Sequence, residues 1–341
     1  MLTVDQLNKI AFDRGYQAIA DSYTEDEEVW RELVPAGKIV VPSTESMTDY
    51  PYGDRSIMPI GLGDLHEIEE GQRVPQDIIG EGPVRQCKLR TLATALTVTE
   101  DMLMLRDAET RLVRDVIDWG RRVAGAASRF RNDYIAGMFQ KGTLAAGSAR
   151  YFGNAYRGTP DANTGFIYDG KPWFAASGNA HPFQGYTGTV AADAGVNLFT
   201  SSPLTSANLQ NGYTQFTVTN ARDERYQAIS NRPTVILAGA AMRQTVAAIT
   251  ESDLLPGGSN NDSNAFKGLL RPVIWDRLSD DSDAWWLLAD DPGLLVYDSG
   301  IPEIRTRVNE ATRTVTFEGY IRFGAVVTDW RGAACANKAT S

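Results

Sequence analysis

Residues 97–141 read TVTEDMLMLRDAETRLVRDVIDWGRRVAGAASRFRNDYIAGMFQK. Leu112, Val116, Trp119, Val123, Ala127, Phe130, Tyr134 and Met138 recur every three or four residues, which is one apolar stripe along a long helix. Thr97-Val98-Thr99-Glu100 has the spacing of a capping box, so the helical signal is expected to open there. Arg106, Arg111, Arg114, Arg121, Arg122, Arg129 and Arg131 occupy the other face, interleaved with Asp107, Glu109, Asp115, Asp118 and Asp133. That face is either a solvated one laced with i,i+4 ion pairs, each contributing about 0.2–0.5 kcal/mol, or an electrostatic surface turned toward a polyanion.

Working outward from this helix, residues 1–45 form an acidic lead with apolar residues near helical spacing, closed by Pro35, Gly37 and Pro42, and read as an arm with a short helix or two. Residues 46–92 are dense in glycine and proline between short β-prone pieces. They far exceed an ordinary connection of about 4–6 residues, which fits an excursion pairing two ragged strands. Residues 142–300 read as mixed α/β. RPTVILAGA is a buried strand, AAMRQTVAAITES a helix, GLLRPVIWDRL and DAWWLLAD further strands, and a serine and an asparagine cap the helix in SPLTSANLQNGYTQF. In residues 301–330 Val315, Phe317, Ile321 and Phe323 fall on one face and Thr314, Thr316, Glu318 and Arg322 on the other. This is an antiparallel hairpin that needs a partner surface, expected to be the long helix.

The chain of 341 residues is 43% hydrophobic and 22% charged, ordinary for a folded soluble protein. It holds no apolar run long enough to span a bilayer, and its first residues lack the apolar core of a secretory signal, so it is expected to stay where it is made. A net charge of −10 disfavours gripping nucleic acid over the whole surface. Cys87 and Cys335 match no metal spacing, and two histidines are few for metal or triad chemistry. Gly61-Leu62-Gly63-Asp64-Leu65-His66 breaks the dinucleotide pattern at its third glycine, and neither a P-loop nor a GxSxG elbow occurs. Asp280, Asp281 and Asp283 do not supply a calcium-loop frame. In IYDGKPWFAASGNAHPFQG, residues 167–185, turns at Asp169-Gly170 and His181-Pro182 frame a rigid loop anchored by Trp173, Phe174 and Phe183. His181 is expected to serve structurally. No catalytic residue, metal or cofactor is expected.

The order of these features resembles the HK97-fold major capsid proteins of tailed bacteriophages. EIEEGQRVPQ is similar to the acidic, glycine-bearing strand of their extended E-loop, ALTVTEDMLM to the start of their spine helix, and YIRFGAVVTDW to the closing strand of their P-domain. DGKPWF…HPF, with ESDLLPGGSNNDSNAFKGLLRPVIWDRL, resembles Mu-type (gpT-like) head subunits. The resemblance implies an α+β fold with an N-terminal arm at 1–45, E-loop at 46–92, P-domain spine helix at 93–141, A-domain at 142–300, P-domain β-strands at 301–330 and a C-terminal tail at 331–341.

It also implies a head protein that assembles with itself into hexamers and pentamers of an icosahedral shell around double-stranded DNA. Assembly would take place in the host cytoplasm, with a portal and with scaffold or decoration proteins as partners and no membrane. Tyr50, Tyr52, Asp54, Arg55, Glu70, Arg73, Lys88 and Arg90 would make E-loop contacts between subunits. Arg111, Arg114, Arg121 and Arg122 would face inward, touching DNA weakly and non-specifically. Some relatives crosslink their shells through an E-loop lysine. Arg90 stands where that lysine would be, and although Lys88 is near, a non-covalent shell is expected. The short lead implies no long scaffolding extension before the loop. Two alternatives are an encapsulin-type nanocompartment, and a mixed α/β hydrolytic enzyme using acids near Trp285 and Trp286.

Overall fold

The computed structural model describes residues 4–25, 28–41, 52–57, 84–99, 108–144, 167, 169–183, 186–254, 263–278, 283–309 and 311–338. Its helices are α1 (Val4–Glu25), α2 (Trp30–Leu33), α3 (Ala108–Gln140), α4 (Ser206–Thr214) and α5 (Arg243–Thr250). Its strands are β1 (Ile39–Val40), β2 (Tyr52–Ile57), β3 (Val84–Lys88), β4 (Arg90–Thr99), β5 (Leu198–Phe199), β6 (Val235–Ala238), β7 (Arg271–Ile274), β8 (Trp285–Leu288), β9 (Leu294–Asp298), β10 (Glu303–Asn309), β11 (Thr314–Val327) and β12 (Ala333–Ala336).

The first sheet is organised by β11, which pairs antiparallel with β10 and then β9 along one edge and with β4 along the other; β1 extends it beside β9. Alternation along β11 buries Val315, Phe317, Ile321 and Phe323 and leaves Thr314, Thr316, Glu318, Tyr320 and Arg322 half-exposed. The buried face meets α3: a Cβ on Gly319 would lie 3.1 Å from Val123 and 3.4 Å from Trp119. Phe323 is the centre of an aromatic knot, receiving Trp30, Phe130 and Tyr134 edge-on at 5.8, 6.0 and 5.4 Å. Such pairs add about 0.5–1.5 kcal/mol each beyond area burial.

Strand β4 corrects the sequence reading, which ran the spine helix from residue 93 and capped it at Thr97–Glu100. Ten residues from Arg90 to Thr99 instead pair with Phe323–Thr314 of β11, and the Thr97 and Thr316 hydroxyls meet at 3.1 Å. Thr91, Thr94, Thr97, Val98 and Thr99 are β-branched, so an open partner edge decides for strand.

The second sheet runs β5-β12-β8-β6-β7. Adjacent tryptophans on β8 point to opposite faces. Trp285 packs with Leu209 and Phe216 near α4 and Val246 and Ile249 of α5, while Trp286 packs with Phe139 at the end of α3. The stretch expected as a C-terminal tail thus contains β12, fully buried between β5 and β8 of this sheet. Of the chain's passages between the sheets, β8 to β9 and β11 to β12 run side by side with their backbones nearly touching. Gly293, at φ +75°, has no room for a Cβ, which would fall 2.0 Å from the Asp329 carbonyl oxygen.

Helix α1 packs along α3 in the same direction, with Phe12 near Val116 and Trp119, and Ile19 near Val123 and Ala124. The backbones meet at two glycines: a Cβ on Gly120 would lie 2.8 Å from the Gly15 carbonyl oxygen and 3.3 Å from Ile19. Farther along, α2 is fastened by charge. Arg131, fully buried on α3, donates from Nε and Nη2 to Asp298 Oδ1 at 2.9 and 2.7 Å and lies 3.7 Å from Glu28. Arg31 bridges Glu28 and, at 3.1 Å, Asp298. Arg131 was expected on the solvated face; it is an interior charge because its carboxylate partners come from other elements.

Two outcomes follow for stability in denaturant titrations of the unassembled chain. Gly120→Val should cost about 1–3 kcal/mol by forcing α1 off α3. Asp298→Ala, which strands a buried guanidinium, should cost about 3–5 kcal/mol, and Arg131→Met added to it should recover part of that loss; an additive double variant would contradict the pairing.

Candidate functional site

Strands β2 and β3 form a separate antiparallel ribbon with Tyr52 opposite Lys88, Arg55 opposite Gln86, Ser56 opposite Arg85 and Ile57 opposite Val84. A register shift falls between Tyr52 and Arg55. Among the described residues the ribbon pairs with no third strand, yet β3 runs through Leu89 straight into β4 and so is anchored to the first sheet. A two-stranded ribbon of this size is marginal alone, and among the described residues both its edges are open. Of the expected contact residues, Tyr52, Asp54, Arg55 and Lys88 lie on the ribbon backbone, and Arg90 opens β4, half-buried and opposite Phe323. Tyr50, Glu70 and Arg73 lie outside the described residues.

The four arginines expected to face inward are all on α3. Arg114, Arg121 and Arg122 are exposed, and Arg121 sits 4.0 Å from Asp118; the side chain of Arg111 is outside the described set. Arg129 shares their stripe, about two turns beyond Arg122, and is exposed as well.

The 167–183 loop is built into the core. His181 is buried with Nδ1 2.7 Å from Asp169 Oδ2 and Nε2 3.2 Å from the Trp173 carbonyl, and its ring stacks on Trp330 at 4.7 Å. These partners occupy both ring nitrogens, which is a packing role. Burial alone would push the Asp169 carboxyl upward, but the hydrogen bond and charge of His181 and the Lys171 backbone N–H outweigh it, holding the pKa below the ordinary 3.8. Sequence reasoning missed Asn197, buried across from this loop. Its Nδ2 reaches the carbonyls of Trp173, Ala333 and Trp330 at 2.8, 3.1 and 3.3 Å, while its Oδ1 accepts from Ala175 N–H at 2.7 Å. One amide therefore stitches the loop to β12. A lone asparagine in a loop gives no sequence signal for this, since all its partners are backbone groups remote in the chain.

Trp285 and Trp286, near which the hydrolase alternative places its acids, are both core residues. Among the described residues no group of three or more His, Cys, Asp or Glu side chains is placed to hold a metal, and no helix is long and apolar enough to cross a membrane.

Because the folded pKa of Asp169 is depressed, its stabilisation is complete above the unfolded-state value and is lost as pH falls through the folded one. Asp169→Asn should therefore lower the melting temperature at pH 7, and the gap to the native chain should narrow progressively as pH falls below about 4. A gap independent of pH would contradict the ion pair.

A family model for phage capsid protein matches residues 84–336, from the start of β3 to the end of β12. No protein of curated function matches the sequence. Among solved structures, one from Mycobacterium phage Patience is 13% identical with a TM-score of 0.51, covering 100% of this chain and 91% of its own. The capsid of Ralstonia phage GP4 is 12% identical, TM-score 0.49, covering 88% and 87%, and the capsid of a native GTA particle is 12% identical, TM-score 0.48, covering 92% and 91%. At such identity the Patience likeness bears on the fold alone, which is the HK97-like α+β fold. With the family match spanning α3 and both sheets apart from β1, the chain belongs to the phage capsid protein family and is a structural subunit of a virion shell.

Proposed function

We propose that this chain is the major head subunit of a tailed phage, assembling through hexamers and pentamers into an icosahedral shell around double-stranded DNA. The observation that carries the reading is the β2–β3 ribbon, joined to the sheet by β4 and bordered by no third strand among the described residues. Open strand edges are satisfied when another copy supplies the covering surface, and closed symmetry then multiplies modest contacts into a stable particle. In this reading residues 1–45 are the arm, 46–92 the E-loop, 93–141 the spine segment, 142–300 the A-domain, 301–330 the P-domain strands and 331–341 the terminal segment that completes the A-domain sheet. Tyr50, Tyr52, Asp54, Arg55, Glu70, Arg73, Lys88 and Arg90 then serve contacts between subunits.

The acidic balance suits a DNA container, because each phosphate neutralised by the wall would add salt-sensitive affinity that hinders filling and release. Contact with DNA is therefore weak and non-specific. Arg111, Arg114, Arg121 and Arg122 are the candidates for it. A portal and scaffold or decoration proteins complete the head, assembly proceeds in the host cytoplasm, and the shell is held without covalent crosslinks. The likeness of the DGKPWF…HPF loop to Mu-type head subunits supports a place near that branch.

Deleting residues 50–85 is expected to leave a folded subunit, melting within a few degrees of the native chain, that sediments only as small species. Closed particles of normal size from the deletion variant would overturn the role given to the ribbon. Particles of the native chain that enclose a protein cargo in place of DNA would favour the nanocompartment alternative.

A further inference from the structure

A cleft of about 350 Å³ opens beside β5, between the loop around residues 193–202 and the side of α4. That is the small end of small-ligand sites, which run from about 300 to 1,000 Å³. Its floor is apolar: Val196, Leu198 and Gly212 are buried there and Phe199 is half-buried. Gly212 lets α4 lie close over this floor, since a Cβ would stand 3.3 Å from Trp285 and 3.7 Å from Phe199. The walls are tied in place. Gln215 Nε2 donates to the Asp193 carbonyl at 2.6 Å, Asn208 Nδ2 to the Pro203 carbonyl at 2.9 Å and Trp285 Nε1 to the Ser202 carbonyl at 3.0 Å. A cleft held this way loses little freedom when it is filled.

The mouth carries hydrogen-bonding capacity that the fold leaves unspent. Ser177, Asp193, Thr200 and Asn211 are exposed, and among the described residues their side chains make no hydrogen bond or ion pair. Hydroxyls and amides both donate and accept, the Asp193 carboxylate accepts, and no lysine or arginine lines the cleft. We infer that the cleft is a binding site for a neutral saccharide. Sugar hydroxyls donate and accept as these groups do, and the C–H face of a pyranose ring packs on an aromatic floor such as Phe199. Other occupants fit less well. An anion would meet Asp193 with no cation to offset it, and a calcium ion needs about six to eight oxygen ligands where one carboxylate is on hand. The Leu198 N–H of β5 already donates to the Ala175 carbonyl at 3.1 Å, which leaves a two-residue strand little edge for a peptide to join.

The cleft lies within one copy, so the inference stands or falls apart from the shell reading. Saturation-transfer NMR of the native chain with the methyl glycosides of glucose, galactose, mannose and N-acetylglucosamine tests it. At least one of them should receive saturation, most strongly at ring C–H protons. Asn211→Ala combined with Asp193→Ala should weaken its binding about tenfold or more, the loss of two hydrogen bonds of which one is to a charged group. Both side chains are exposed and unbonded, so circular dichroism and melting should match the native chain. If that double variant misfolds, Ser177→Ala with Thr200→Ala is read instead and should also weaken binding.

Saturation reaching none of the four glycosides would overturn the inference. So would equal saturation in the native and substituted chains, which would place binding elsewhere on the surface. Displacement of the bound glycoside by inorganic phosphate would make the cleft an anion site and overturn it too.

Discussion

Strand β11 cannot bury Val315, Phe317, Ile321 and Phe323 without presenting that whole face to α3, because a strand turns successive side chains to opposite sides. Its length lets it pair with β4 along one edge and with β10 and β9 in turn along the other. The position of α3 over the sheet, the knot around Phe323 and the buried charges that fasten α2 all follow from that one register. So does the direction of the β2–β3 ribbon, since β3 continues into β4 and β4 is locked to β11 for ten residues.

The two sheets behave as parts of one body because the chain crosses between them twice within touching distance. Gly293 against Asp329, and Gly332 2.2 Å from Asp291 in the position a Cβ would take, leave no space for side chains between the crossings. Around this junction lie the His181–Trp330 stack, the Asn197 amide, and Arg331, which donates to Glu224 at 2.8 Å and to Asp329 at 3.0 Å. Buried polar groups are costly unless satisfied, and here their partners come from segments far apart in sequence, so they specify one arrangement of the sheets. The function that results is structural: two sheets packed together, with a two-stranded ribbon continuing from one of them through β4.

Periodic features were legible in the sequence because burial acts on them locally. The α3 stripe, the alternation of β11 and the apolar runs of β6 and β8 could be read directly. Features decided by a remote partner could not. Residues 97–99 satisfy both a capping box and a β-branched strand, and the choice belongs to Thr316, 219 residues away. Arg131 looks like its exposed neighbours until Asp298, 167 residues away, is known to lie beneath it. Strand β12, Ala-Ala-Cys-Ala, is too short and too weakly apolar to announce itself, yet it is buried between two strands of a sheet. Within the candidate contact surface, sequence reasoning located the ribbon and the α3 arginines but could not tell which arginines had partners, since that depends on the aspartates each one reaches.

The central claim is that copies of this chain complete one another in a closed shell. Electron microscopy of the purified native protein addresses it most directly. The account predicts icosahedral particles of uniform diameter, in which reconstruction places each ribbon against an adjacent subunit. A protein that stays monomeric at every concentration, with its ribbon folded onto its own body, would contradict it.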